Sequence, residues 1–79
     1  MSWVETEKGL HRAFEFDNFT KAFAFMTEVA FLAEELGHHP DWSNVYNKVE
    51  IYLNTHDAGG TITERDREMS RKIDALIGG

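Results

Sequence analysis

Cysteine is absent from this 79-residue sequence, and proline occurs once, at Pro40. Without cysteine the chain has neither a disulfide framework nor a cysteine-based zinc pattern, and its composition fits a reducing compartment. No apolar run approaches the ~20 residues of a membrane span. Nor does the start carry the charged-then-apolar pattern of a signal peptide. A cytoplasmic protein is the expectation. Basic charge is also scarce: eight Lys and Arg face fourteen Asp and Glu, for a net charge of −6. Phosphate neutralisation by Lys and Arg supplies most of the affinity for nucleic acid, so direct nucleic-acid binding is not expected. There are no repeats, no low-complexity tracts and no Gly-rich loop of phosphate-binding type, and residues 1–79 read as a single domain. A chain this short buries little more than about 60% of its unfolded surface, which makes self-association an expected source of further burial.

The periodicities that are present outline the fold. Trp3 to Glu7 and Leu10 to Phe16 alternate in polarity on either side of the turn signal Lys8-Gly9, as the strands of a hairpin do. Leu10, Phe14 and Phe16 share one face of the second strand; His11, Ala13 and Glu15 share the other. Asp17 or Asn18 is placed to cap a helix over Phe19 to Leu36, where the period becomes 3.6. One broad half of that helix carries Ala22, Phe23, Phe25, Met26, Val29, Ala30, Leu32, Ala33 and Leu36. Ala24 and Phe31 interrupt the polar half and mark a seam for a second copy of the chain. Gly37 ends the helix and Pro40 keeps it from resuming. Ser43 to Tyr46 and Val49 to Thr55 form a second hairpin around Asn47-Lys48. After the loop Asp57-Ala58-Gly59-Gly60, Thr61 or Thr63 caps a last helix with Glu64 and Asp66 in its first turn. Its apolar stripe is Met69, Ile73, Leu76 and Ile77. The order β-β-α-β-β-α predicts an α+β fold, a four-stranded antiparallel sheet with helices on one face.

Three of the four histidines lie in two short stretches, Glu34-Glu35-Leu36-Gly37-His38-His39-Pro40-Asp41-Trp42 and Thr55-His56-Asp57. His11, on a strand face beside Glu15, reads as an ordinary surface residue. A helix C-terminus stabilises one cationic imidazole by about 0.3–1 kcal/mol, which accounts for one of His38 and His39 but not both. Glu34, Asp41 and Asp57 are further ligand types for a metal, yet adjacent histidines lack the i, i+4 spacing that aims two imidazoles at one ion, and no metal is expected. No Ser or Cys sits in an activating context. Imidazole titrates near neutrality, so a pair flanking a ligand can accept one proton and donate another. Trp42 offers a flat apolar surface for a planar heterocycle.

Taken together, Glu34, His38-His39-Pro40, Trp42, Asn44, Tyr46 and Thr55-His56-Asp57 resemble the pterin-4a-carbinolamine dehydratases. The likeness runs from Phe14-Glu15-Phe16 through the first helix to Asp66. It implies dehydration of 4a-hydroxytetrahydropterin to quinonoid dihydropterin, the recycling step for aromatic amino acid hydroxylases, with the pterin as substrate and no cofactor. It further implies acid/base roles for His38 and His56, with His39 positioning the pterin. Pro40, Trp42, Thr55, Asp57 and Ala58 would contact the substrate, and Glu34 would orient or tune a histidine. A homodimer or homotetramer is expected, and the fold is expected to lack the family's usual N-terminal helix. The segment from His56 to Asp66 is one residue longer than the common form. Animal relatives also serve as dimerisation cofactors for a transcription factor, so a protein-binding module is a second expectation, and a pterin binder without turnover a third.

Overall fold

The computed structural model describes residues 3–78. Two strands, β1 (Val4–Thr6) and β2 (Gly9–Glu15), lead into the long helix α1 (Phe19–Leu36). Strands β3 (Asp41–Val45) and β4 (Lys48–Leu53) follow, then a single 3-10 turn (His56–Ala58) and helix α2 (Glu64–Leu76). The strands form one antiparallel sheet in the order β1-β2-β4-β3. Register couples Phe14 to Val49 and Leu10 to Leu53 in the centre, and Trp42 to Ile51 at the edge.

Strand alternation fills one face of that sheet with Leu10, Phe14, Val49, Ile51 and Leu53, all buried. Ala22, Phe25, Val29 and Ala33 of α1 and Met69 and Ile73 of α2 close the core from above, α1 over β4 and α2 over β2. Parity also turns Arg12 toward the helices. There its Nη1 donates to Asp74 Oδ1 at 2.6 Å, and Trp3 Nε1 donates to the same oxygen at 2.9 Å. His11, on the opposite face, meets Glu50 at 3.1 Å and stacks on Tyr52. Its partner is thus across the strand pair rather than Glu15.

Local chemistry sets the boundaries. Asn18 caps α1 by accepting from the Lys21 N–H, and Gly37 ends it in the left-handed region at φ 63°. The second hairpin turns one residue earlier than expected, with Tyr46 at φ 53°. The Asn44 side chain braces that turn through the carbonyls of Tyr46 and Lys48. Thr63, not Thr61, precedes α2 as its cap residue. Four apolar assignments are corrected. Phe23 and Ala30 face outward on the flank of α1 beside Trp42 of edge strand β3, because only the strip through Ala22, Phe25, Val29 and Ala33 meets the sheet. Leu76, the last residue of α2, and Ile77, just after it, are partly exposed at the helix end. Among the described residues no helix is long and apolar enough to cross a membrane.

Candidate active site

Gly37 determines where the first two histidines go. Its left-handed conformation brings its own N–H back to Glu34 O and that of His38 to Ala33 O, so the chain reverses within one residue. Pro40 then holds the segment extended, and neighbouring side chains leave it on opposite sides. His38 is consequently 7% exposed while the side chain of His39 is 67% exposed. The end of β4 supplies the third histidine. His56 opens the 3-10 turn, which is tied down by backbone bonds from Ala58 to Thr55 O and from Thr55 to Thr61 O.

The two segments meet at one open cleft of about 340 Å³, lined by His38, His39, Pro40, His56 and Asp57. That volume falls within the ~300–1,000 Å³ of small-molecule sites. Asp41 shares the lining, as do Asn54 and Arg65, which sequence reasoning did not single out. Arg65 donates through Nη2 to Gly37 O at 3.0 Å, tethering the start of α2 to the end of α1. Asn54 donates to Lys8 O and ties the end of β4 to the β1–β2 turn.

Beneath the cleft lies a buried polar cluster centred on Asp66, which is fully buried. Its Oδ1 is 2.5 Å from His38 Nε2. Its Oδ2 accepts from the Thr55 hydroxyl and from the Thr63 backbone N–H, each at 2.8 Å. Burial by itself pushes the Asp66 carboxyl up. The Thr63 N–H, the hydrogen bonds from His38 and Thr55, and the positive charge available on His38 outweigh that, and the carboxyl sits below its ordinary value. Asp66 had a signal in the sequence: Thr63-Glu64-Arg65-Asp66 has the spacing of a capping box, in which the fourth residue reaches back to the cap N–H.

Four expected site residues lie outside the cleft lining. Thr55 is turned into the core by strand parity and binds Asp66 and Thr63 instead. Ala58 is exposed, its carbonyl accepting from the Thr61 hydroxyl. Trp42 alternates away from Asp41 and, with Phe23, Phe31 and Glu34, lines a separate apolar hollow of about 440 Å³. Glu34 reaches the site only through His39, its Oε1 3.0 Å from His39 Nε2. No three His, Asp or Glu side chains among the described residues converge as metal ligands.

The family model for pterin 4 alpha carbinolamine dehydratase matches residues 1–76. A provisionally named pterin-4-alpha-carbinolamine dehydratase of Prochlorococcus marinus (strain NATL2A) is 51% identical over 76 residues, covering 96% of this chain and 79% of the relative. A protein of the same provisional name from Sinorhizobium medicae (strain WSM419) is 52% identical over 79 residues, 98% of this chain and 74% of the relative. Among solved structures, the transcriptional coactivator/pterin dehydratase of Brucella melitensis superposes with a TM-score of 0.89 at 40% identity, covering 98% of this chain and 83% of that one. A pterin dehydratase-like protein identified as a RuBisCO assembly factor in the alpha-carboxysome superposes with a TM-score of 0.84 at 30% identity, covering 100% and 93%.

Proposed function

The chain belongs to the pterin 4 alpha carbinolamine dehydratase family, and on that premise we propose that it removes water from a 4a-hydroxytetrahydropterin to give quinonoid dihydropterin. The observation that carries this reading is the cleft shared by His38, His39 and His56 from two distant segments, with His38 braced from below by Asp66. In the reaction a base takes the N5 proton, and the electrons of that N–H bond become the new C4a=N5 bond. The C4a–O bond breaks with its electron pair on oxygen, and an acid protonates the departing hydroxyl to water. One proton acceptor and one donor suffice, so the pterin is the substrate and no further cofactor is called for. His38 and His56 fill these two roles, and His39, oriented by Glu34, positions the ring.

The test is the decay of enzymatically generated 4a-hydroxytetrahydropterin, followed by absorbance. The wild-type chain is expected to accelerate it, and His38→Ala to lose about 10²–10⁴-fold of that acceleration, the usual span for one general acid–base group. A wild type without effect on the decay ends the dehydratase reading.

A second reading, a protein-binding surface, is favoured by one observation. Phe23 and Phe31 are 54% and 74% exposed and flank the apolar hollow beside Trp42. The most direct occupant is another copy of the chain, forming a homo-oligomer; a different protein partner is the alternative. Phe31→Glu separates this surface from the cleft, since it should abolish association and leave water loss intact.

A further inference from the structure

Asp66, below its ordinary carboxyl range, meets His38 as a carboxylate, and a carboxylate only accepts hydrogen bonds. The proton in the 2.5 Å contact therefore belongs to His38 Nε2. It stays there whether the imidazole is neutral or cationic. The proton that His38 is free to exchange is the one on Nδ1. Nδ1 has no hydrogen-bond partner among the described residues and is not sealed off, since Arg12 Nε is the one buried, unpaired side-chain nitrogen or oxygen found there. His38 opens onto the cleft.

The threonines below give the cluster a direction. Thr55 commits its single hydroxyl proton to Asp66 Oδ2. In the 2.5 Å contact between Thr55 Oγ1 and Thr63 Oγ1, Thr63 is then the donor. Thr63 also sends its backbone N–H to Oδ2, which leaves Oδ1 for His38. We propose, resting on the dehydratase reading, that Thr55 and Thr63 are positioning residues: they fix the orientation of Asp66 that locks His38 as the Nε2–H tautomer, so that Nδ1 exchanges the proton with the pterin. Thr55, 5% exposed, acts through Asp66 rather than on the ligand.

The test is ¹⁵N NMR of the histidine-labelled full chain, with His38 assigned by difference against His38→Gln and spectra taken at the alkaline end of its titration. In the wild type Nε2 is expected to be of the protonated, pyrrole type and Nδ1 of the pyridine type. In Asp66→Asn, Thr55 and Thr63 both hold the amide oxygen and turn its NH₂ toward His38 Nε2. An NH₂ group donates, so the imidazole proton moves to Nδ1 and the two signals exchange character. Adding Thr55→Val to Asp66→Asn removes one of the groups that orient the amide and returns part of the signal to Nε2–H.

A wild-type His38 protonated at Nδ1, an Asp66→Asn spectrum like that of the wild type, or no return in the double variant overturns the proposal. In turnover, Thr55→Val lowers kcat about tenfold at unchanged KM, the scale of one hydrogen bond to a charged group, and Thr55→Ser restores it. A raised KM at unchanged kcat would make Thr55 a ligand contact and overturn its positioning role. The spectra require no turnover, so a chain without dehydratase activity would end that reading and leave the tautomer test standing.

Discussion

Asp66 and His38, twenty-eight positions apart, meet at 2.5 Å with both side chains buried. The pair joins the two halves of the domain, since His38 follows α1 and Asp66 lies in the first turn of α2. Asp66→Ala would leave His38, the Thr55 hydroxyl and the Thr63 N–H without their acceptor. Removing one member of a buried pair costs about 3–5 kcal/mol, against roughly 4–12 kcal/mol for a whole domain of this size. Urea unfolding followed by tryptophan fluorescence should show a midpoint far below that of the wild type, and Asp66→Asn, which keeps the volume and one acceptor, should lose less.

The same carboxyl sets an acid limit. Its pKa is lower in the folded chain than the ordinary 3.8, so the unfolded state binds the proton first. The stabilisation is therefore complete above about pH 4 and is lost as pH falls through the lower folded value. A plot of Tm against pH should drop steeply below about pH 4 in the wild type, and Asp66→Asn should lack that component. An equal drop in both would assign the acid limb to other carboxylates.

How much of this could be read from the residues depends on distance along the chain. Helix α1 was legible to its ends, because Asn18, the 3.6 period and Gly37 are local signals. Alternation gave the core face of β2 and β4 but not the order β1-β2-β4-β3, since parity assigns faces and not neighbours. The three site histidines were recognisable as residue types at unusual places. The roles of Asp66 and Thr55 were not, because burial and bonding to partners eleven and twenty-eight residues away arise only when α2 docks. Phe23 was misplaced for a related reason: its period fits an apolar face, but that flank overhangs the sheet beside β3.

Two glycines with positive φ should behave differently. At Gly37 a Cβ meets nothing within 4 Å, so Gly37→Ala carries only the left-handed backbone penalty of about 1–2 kcal/mol. At Gly9, φ is 119° and a Cβ would stand 2.2 Å from the Leu53 carbonyl oxygen. Backbone cannot yield there without parting β2 from β4, so Gly9→Ala should cost more than about 3 kcal/mol, beyond the range of strain alone. Thermal unfolding of the two variants side by side checks the order.

Glu34 and His39 form an exposed pair at 3.0 Å, with side chains 82% and 67% accessible. Such pairs contribute about 0–1 kcal/mol, so Glu34→Gln should leave Tm nearly unchanged. If Glu34 orients His39 against the pterin, the variant raises KM several-fold at nearly constant kcat, the signature of lost ground-state positioning. An unchanged KM would reduce Glu34 to a surface residue.

Phe31 projects from α1 with 74% of its surface in water, on the same flank as Phe23 and Trp42. Full burial of such a ring is worth about 1.5–3 kcal/mol, more than a short chain leaves unused without reason, and proteins with a contiguous exposed apolar patch commonly cover it by association. Phe31→Glu removes that gain and places charge where a second helix would pack. Within the protomer Phe31 is not part of the buried core, so the change should move unfolding free energy by no more than about 0.5 kcal/mol, the usual scale for an exposed site. Sedimentation velocity should then find the wild type associated and Phe31→Glu monomeric with the same far-UV circular dichroism. A wild type that sediments as a monomer at high concentration would leave this flank to a different protein partner.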